Sequence, residues 1–311
     1  MSLLQGLGWA AGREAWLGWI LIAIASAAVV VVTVLVLAGT FRRRRDEGGA
    51  IGESNQGLGW ILGGGIVVPA VVLAGVLVLT LTTLTAVASP PVRDPLTVEI
   101  IGHRWWWEVK YPGVSPDRMV STANEIHIPV GRQVKLRLST ADVIHSFWAP
   151  TLAGKADLIP GKTNTMWLEA DRVGRYAGQC AEYCGEQHAK MRTAVVADDP
   201  AAFARWLDAQ RAPAAEPAGG DAARGRDVFL GSACSLCHAV RGTRAGGRIG
   251  PDLTHLASRE TIAAGVLPNT KESLLAWITA PQVVKPGTVM PAVPLAAADL
   301  TPLVAYLQTL H

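Results

Sequence analysis

The chain has 311 residues, with 28 Lys and Arg against 25 Asp and Glu, for a net charge of +3. That charge is small and partly confined to the four arginines at 42–45, so nothing in it calls for a nucleic-acid partner. Half of the residues are apolar, only 6% are aromatic, and the length exceeds one average domain.

The apolar residues are concentrated near the N-terminus. Residues 15–41 and 54–92 carry no charge. Each run can cross a hydrocarbon core of about 30 Å, which needs roughly 20 helical residues. The runs predict helices over about 16–38 and 60–87. The arginine cluster lies between them, and positive loops stay in the cytoplasm. Residues 42–56 are therefore expected inside, with the N-terminus and everything after residue 90 outside. The sequence Ala25-Ser26-Ala27 resembles a signal-peptide cleavage site, but the apolar run continues past it, which favours an uncleaved anchor. Gly63, Gly64 and Gly65 read as small residues for close helix packing in a bilayer. They do not read as a phosphate loop, because no Gly-Lys-Ser/Thr follows.

Residues 92–198 alternate short β-like runs with turn signals. Strands are predicted over 96–101, 125–129, 133–139, 163–170 and 193–196, which suggests a small sandwich or barrel. A short helix follows over about 201–210. Residues 212–220, rich in Ala, Pro and Gly, read as a semi-stiff linker. Helical segments are then predicted over 221–235, 271–279 and 297–310. Short helices in under a hundred residues make a thin core that usually needs a covalent or metal staple.

The four cysteines fall in two groups. Cys180, Cys184 and His188 are spaced four apart, and Met191 follows three later. One turn-rich loop can bring all four side chains to a single centre, and His145, at the end of an apolar run, can close it from a neighbouring strand. Thiolate and thioether ligands favour copper. A Cys180–Cys184 disulfide and a Cys2His2 zinc site are the rival readings, though neither needs Met191. The second group, Cys234-Ser-Leu-Cys237-His238, is a c-type haem attachment pattern with His238 as the proximal ligand. No Ser/His/Asp set or carboxylate pair is placed for acid–base chemistry. The chain therefore reads as a one-electron carrier.

Several motifs together resemble cytochrome c oxidase subunit II. They are the two membrane helices, the run Gly102-His-Arg-Trp-Trp-Trp107, His145-Ser-Phe-Trp148, Lys155-Ala-Asp-Leu-Ile-Pro-Gly161 and the Cys180–Met191 loop. The resemblance implies a cupredoxin-like all-β barrel holding a binuclear CuA centre. Cys180 and Cys184 would bridge the coppers, with His145 and His188 on one copper each. Met191 and the Glu182 carbonyl would be weak ligands, and the Glu182 side chain would reach an interfacial magnesium shared with subunit I. The family's electron-entry patch resembles Trp105–Trp107. Strand alternation would bury at least one of these rings and expose another, and family position implies Trp105 as the exposed entry ring. The family often carries a Glu near the cytoplasmic start of its second helix, at a proton-channel mouth. Residues 62–68 here have none, and the nearest acid is Glu53.

Residues 221–311 resemble an all-α class I cytochrome c domain. Gly250-Pro-Asp-Leu matches its proximal loop, and the segment ending in Met290 matches its distal loop, which implies Met290 as sixth ligand. His255 is the competitor. The implied organisation is a transmembrane helical hairpin (1–91), a CuA domain (92–200), a short helix and linker (201–220) and a haem c domain (221–311). The implied role is subunit II of a proton-pumping cytochrome c oxidase (EC 7.1.1.9) in a bacterial plasma membrane. Its partners would be subunit I, where oxygen is reduced, probable subunit III, and an external donor, either cytochrome c or a respiratory complex. A membrane-anchored CuA and haem c donor to a nitrogen-oxide reductase is the alternative; a copper-delivery or redox-sensing protein fits less well, since delivery needs an exposed labile site. A short tether gives a millimolar effective concentration, so domain docking is expected to need little affinity and no strong clamp.

Overall fold

The computed structural model describes residues 6–43, 56–90, 92, 94–113 and 119–311. Glu53 and most of the basic 42–56 loop lie outside the described residues.

The first apolar run forms α1 (Trp9–Arg43). It begins earlier than hydropathy predicts, because its first turns serve a different purpose. Ala10, Ala11 and Ala15 are buried, and small side chains there let the helix start lie against the β-rich domain. The Leu7 N–H donates to the Thr151 carbonyl (2.8 Å), and the Asp171 N–H donates to the Leu7 carbonyl (3.0 Å). The helix therefore starts on the side where that domain lies. The second run forms α2 (Gln56–Leu62) and α3 (Val68–Ala88), joined by one π-helical turn at Gly63–Val67. Pro69 has no N–H to donate, and the wider turn just before it absorbs the interruption. Gly63, Gly64 and Gly65 have open space around their α-carbons among the described residues, so the expected helix packing at these glycines is not made within this chain. Both spans are long and apolar enough to cross a membrane, and they present their apolar side chains outward.

Ten strands follow: β1 (Leu96–His103), β2 (Trp106–Tyr111), β3 (Val120–Ala123), β4 (Glu125–Pro129), β5 (Val134–Thr140), β6 (His145–Trp148), β7 (Ala156–Leu158), β8 (Asn164–Leu168), β9 (Gly174–Cys180) and β10 (Arg192–Asp198). They make two five-stranded sheets, ordered β3-β2-β1-β5-β8 and β4-β10-β9-β6-β7. This is the cupredoxin-like domain. Alternate residues of β1, β2 and β5 turn inward, so Val98, Ile100, Trp107, Val109, Val134, Leu136 and Leu138 are fully buried. The sequence reading missed β2, β3, β6, β7 and β9. Strands β3, β6 and β7 are short and β9 is polar and glycine-containing, so they carry little period-two signal; β2 does alternate, with Trp107, Val109 and Tyr111 inward and Glu108 and Lys110 between them, and its pattern was available in the sequence.

A helix α4 (Pro200–Arg211) follows, with the Asp199 side chain capping the Ala201 N–H. It packs on the barrel through Trp206, whose ring stacks on His127 at 4.0 Å. The helical domain contains α5 (Gly220–Gly231), α6 (Cys234–Cys237), α7 (Lys271–Thr279), α8 (Pro281–Val284) and α9 (Ala297–Leu307). Helices α5 and α9 cross at Gly225. A Cβ at that position would stand within bonding distance of the Pro302 carbonyl, so only glycine permits the crossing. Phe229, Leu303, Tyr306 and Leu307 fill the contact. The segment between α4 and α5 is not a free spacer. Arg241 donates to the Gln210 and Arg211 carbonyls at 3.0 and 2.8 Å, and the Ala214 N–H donates to the Arg241 carbonyl at 2.9 Å. The linker lies along the helical domain.

Candidate metal centre and the facing cavity

Strands β6 and β9 pair through Phe147 and Cys180, which puts His145 and Cys180 at one end of the barrel. The loop from β9 to β10 then folds back over them. Cys180 Sγ lies 3.8 Å from Cys184 Sγ and 3.8 Å from His145 Nδ1. Cys184 Sγ lies 3.6 Å from His188 Nδ1 and 3.9 Å from Met191 Sδ. The Glu182 carbonyl is 3.2 Å from Cys180 Sγ, while its side chain is exposed. Every sequence-predicted ligand of this centre is therefore gathered. Each thiol has its own imidazole, Met191 sits on the Cys184 side and the Glu182 carbonyl on the Cys180 side. The sulfurs are far beyond the ~2.0 Å of a disulfide. A tetrahedral zinc would leave the thioether and the carbonyl unused. The donor set suits soft copper.

Two buried thiols this close cannot both ionise readily. The Cys184 S–H, then His145 and backbone N–H groups, hold Cys180 far below an ordinary thiol, and the resulting charge, together with burial, pushes Cys184 up. Cys184 therefore keeps the pair's remaining proton, which a bound metal would have to displace. His145 is fully buried. Burial opposes its charge, but Asp142 and Cys180 outweigh that and raise its pKa. Its Nε2 lies 2.8 Å from Asp142 Oδ1, which turns Nδ1 toward the sulfurs. Asp142 Oδ2 also accepts from the Arg104 N–H at 2.7 Å. Sequence reading missed Asp142; its position three residues before His145 was the available signal.

The helical domain encloses a cavity of about 420 Å³, lined by Cys234, Cys237, His238 and Met290. Phe229, Ile262, Leu274, Trp277, Leu303 and Leu307 make it strongly apolar. Cys234 and Cys237 are free thiols on the single turn α6. His238 Nδ1 lies 2.8 Å from the Pro251 carbonyl, which leaves Nε2 available, and burial lowers its pKa toward the neutral, ligating form. These residues fit a haem with thioether attachment. His255 does not compete. Its ring nitrogens lie 2.6 and 3.1 Å from the His311 and Ala212 carbonyls, and it does not line the cavity.

Arg104, Trp105 and Trp106 of the barrel form one wall of the same cavity. This overturns the expectation of an exposed Trp105, which is only 8% exposed. Alternation does not govern it, because Arg104 and Trp105 form the turn between β1 and β2 rather than a strand. The helical domain lies over the ring. The Trp105 indole N–H donates to the Cys184 carbonyl at 3.0 Å, tying the cavity wall to the thiol cluster. Trp107 is fully buried and Trp106 half-buried, stacked on His103 at 4.3 Å.

A soft-ligand cluster in a cupredoxin-like barrel, facing a haem-type cavity and joined to two membrane-length helices, defines a membrane-anchored electron-transfer protein. Family models agree on both folded parts. Residues 113–198 match the periplasmic domain of cytochrome c oxidase subunit II, and residues 222–311 match cytochrome c. Cytochrome c oxidase subunit 2 of Alkalihalophilus pseudofirmus is 39% identical over 253 residues, spanning 78% of this chain and 71% of that protein. The subunit of Bacillus sp. strain PS3 is 29% identical, spanning 80% and 73%. The crystal structure of the periplasmic domain of subunit II of cytochrome oxidase from Bradyrhizobium japonicum is 30% identical, covering 40% of this chain and 97% of that one, with a TM-score of 0.37. The chain belongs to the cytochrome c oxidase subunit II family. It is an electron-transfer subunit of a haem–copper oxidase, anchored in a membrane with an extracellular domain and partnered by other oxidase subunits. Its two folded domains imply CuA copper and haem.

Proposed function

We propose that this chain carries electrons from an external donor to the oxygen-reducing haem–copper site of subunit I in a proton-pumping cytochrome c oxidase (EC 7.1.1.9), entering through covalent haem c and leaving through binuclear CuA. When bound, the two groups supply one-electron carriers of different potential. Cys234 and Cys237 would hold the haem by thioethers, and His238 and Met290, which line the same cavity, would ligate its iron. Cys180 and Cys184 would bridge the coppers, with His145, His188, Met191 and the Glu182 carbonyl completing them. The exposed Glu182 side chain is free to meet a magnesium at the subunit I face.

One observation carries the electron route: the haem-type cavity and the thiol cluster share Trp105, a cavity wall whose indole N–H reaches the Cys184 carbonyl. The chain's own residues keep the route stiff. Asp142 fixes the His145 ring, which is fully buried, and the Pro251 carbonyl fixes His238. Rigidly held ligands reorganise little when charge arrives.

The setting follows from the same reading. The membrane is a bacterial plasma membrane, residues 42–56 face the cytoplasm, and subunits I and III pack on α1 and α3. The domain limits are 1–91, 92–200, 201–220 and 221–311. Affinity purification in mild detergent tests the proposal. Copurifying subunits that consume oxygen, with proton ejection in vesicles, support it. Copurification with a nitrogen-oxide reductase would replace it.

A further inference from the structure

The two folded domains meet through a built interface. The Arg192 N–H donates to the Ala264 carbonyl at 3.1 Å, and the Glu260 N–H to Glu125 Oε1 at 3.0 Å. Arg175 pairs with Glu125 at 2.9 Å and with Glu260 at 3.2 Å. The expectation of loosely tethered domains is not what the chain builds.

Two lysines cross this interface in opposite directions. Lys190, in the copper loop, donates to the Val284 carbonyl at 2.9 Å. Lys285, the next residue along, donates back to the Trp105 carbonyl at 2.6 Å and to the Ala263 carbonyl at 3.2 Å. Lys285 is only 2% exposed. Fully burying an ammonium costs several kcal/mol unless its hydrogen bonds are made. Burial, and then Lys190, push Lys285 down to about 7, the direction that such a cost requires. An apolar side chain would fill the space more cheaply, so stability alone does not explain a lysine here.

The turn that receives Lys285 supplies a second observation. Ala263 and Ala264 both have positive φ, at 53° and 59°. Side-chain-bearing residues are strained in this region and persist where their surroundings hold them. Here the Ala264 carbonyl is engaged across the interface by the Arg192 N–H, and the Ala263 carbonyl is held within its own domain by Lys285, the residue that also reaches across to Trp105.

We propose that Lys285 is a positioning residue which, with Lys190, forms a reciprocal clasp that seats the haem cavity on the Trp105 turn. The clasp sets the one arrangement in which the cavity wall and the thiol cluster share Trp105. Lys285 lies between α8 and Met290, so the loop that carries the sixth haem ligand is the loop that is fastened. The clasp is made by a buried and a half-buried donor meeting backbone carbonyls, so, unlike the Arg175–Glu260 pair beside it, it should depend little on salt. The functional consequence rests on the electron route proposed above; the clasp itself does not.

The experiment uses the full-length, metal-loaded protein in detergent. The oxidised copper centre and the ferric haem are both paramagnetic, so the spread of their separation can be read by pulsed EPR without added labels. The parent protein should give one narrow distance, unchanged between low and high salt. K285M leaves the Trp105 and Ala263 carbonyls without their donor, so the docked-to-undocked ratio should fall about tenfold or more. The distance distribution should broaden while each metal keeps its own spectrum and potential. Haem-to-copper transfer after flash reduction should slow in step. If K285M fails to load haem, K190M decides the matter, since it opens the same clasp from the barrel side. An unchanged narrow distance in K190M and in any haem-loaded K285M would overturn the proposal. A narrow distance in the parent with no haem-to-copper transfer would instead refute the electron route and leave the clasp standing.

Discussion

Gly102 is expected to be required by His145. A Cβ built on Gly102 would stand 2.7 Å from His145 Cδ2, 3.0 Å from its Cγ and 3.3 Å from Leu158 Cδ2. Ordinary contact begins near 3.4 Å, so in G102A the imidazole must retreat by about 0.7 Å. It has nowhere to go. The ring is fully buried, Asp142 holds its Nε2, and the Trp107 ring packs beside it at 6.0 Å between centroids. Overfilling a closed core costs about 1–3 kcal/mol, and ligand distances at a metal site tolerate only about 0.2 Å. G102A should therefore destabilise the barrel domain by that amount, seen as a lower urea midpoint at unchanged m-value, and disturb one copper position. Metal analysis and EPR of the oxidised protein provide the assay. The parent should bind two coppers with a delocalised mixed-valence signal; G102A should bind less copper or give a localised signal. Two coppers with the parent's signal in G102A would refute the steric argument.

At the haem cavity, M290A should lose the low-spin absorption spectrum of the reduced protein while covalent haem remains, and H255A should leave that spectrum unchanged; the reverse pattern would move the sixth ligand to His255. G250A should disturb the same spectrum, because its Cβ would lie 2.5 Å from His238 Cε1. D142N removes the carboxylate that orients His145, and outer-shell changes of this kind cost about 10–100-fold in metal affinity; a competition titration with a copper chelator measures it, and unchanged affinity would rule out that role. Glu108 gives a pH test. Burial raises its pKa, but hydrogen bonds from His103 and Lys110 outweigh this and lower it. The unfolded chain then binds that proton more readily than the folded one. The stabilisation is complete above about pH 4.3 and fades as pH falls through the lowered value. E108Q should be less stable than the parent at neutral pH, with the gap closing in acid; an equal gap at both would exclude the linkage.

The chain's linear order determined its redox character. Cys180, Cys184, His188 and Met191 lie within one loop, and Cys234, Cys237 and His238 within one turn, so local spacing alone announces two soft-ligand centres. The two uncharged runs announce the anchor, because a membrane demands length and apolarity and nothing subtler. Strands such as β1, β4 and β5 were legible from their apolar alternation, and β2 carried the same signal; β6 and β9, which carry His145 and Cys180, are short or polar and gave no periodic signal.

What only the tertiary structure decided lies across large sequence separations. His145 reaches Cys180, 35 residues further along the chain, because β6 pairs with β9. The burial of Trp105 depends on a domain that begins more than a hundred residues later, and on a turn where strand alternation does not apply. Lys285 meets the Trp105 carbonyl across 180 residues of chain. A lysine in a loop reads as solvated until two folded surfaces close over it, because hydropathy records what a residue costs to bury and not which donor and acceptor will offset that cost.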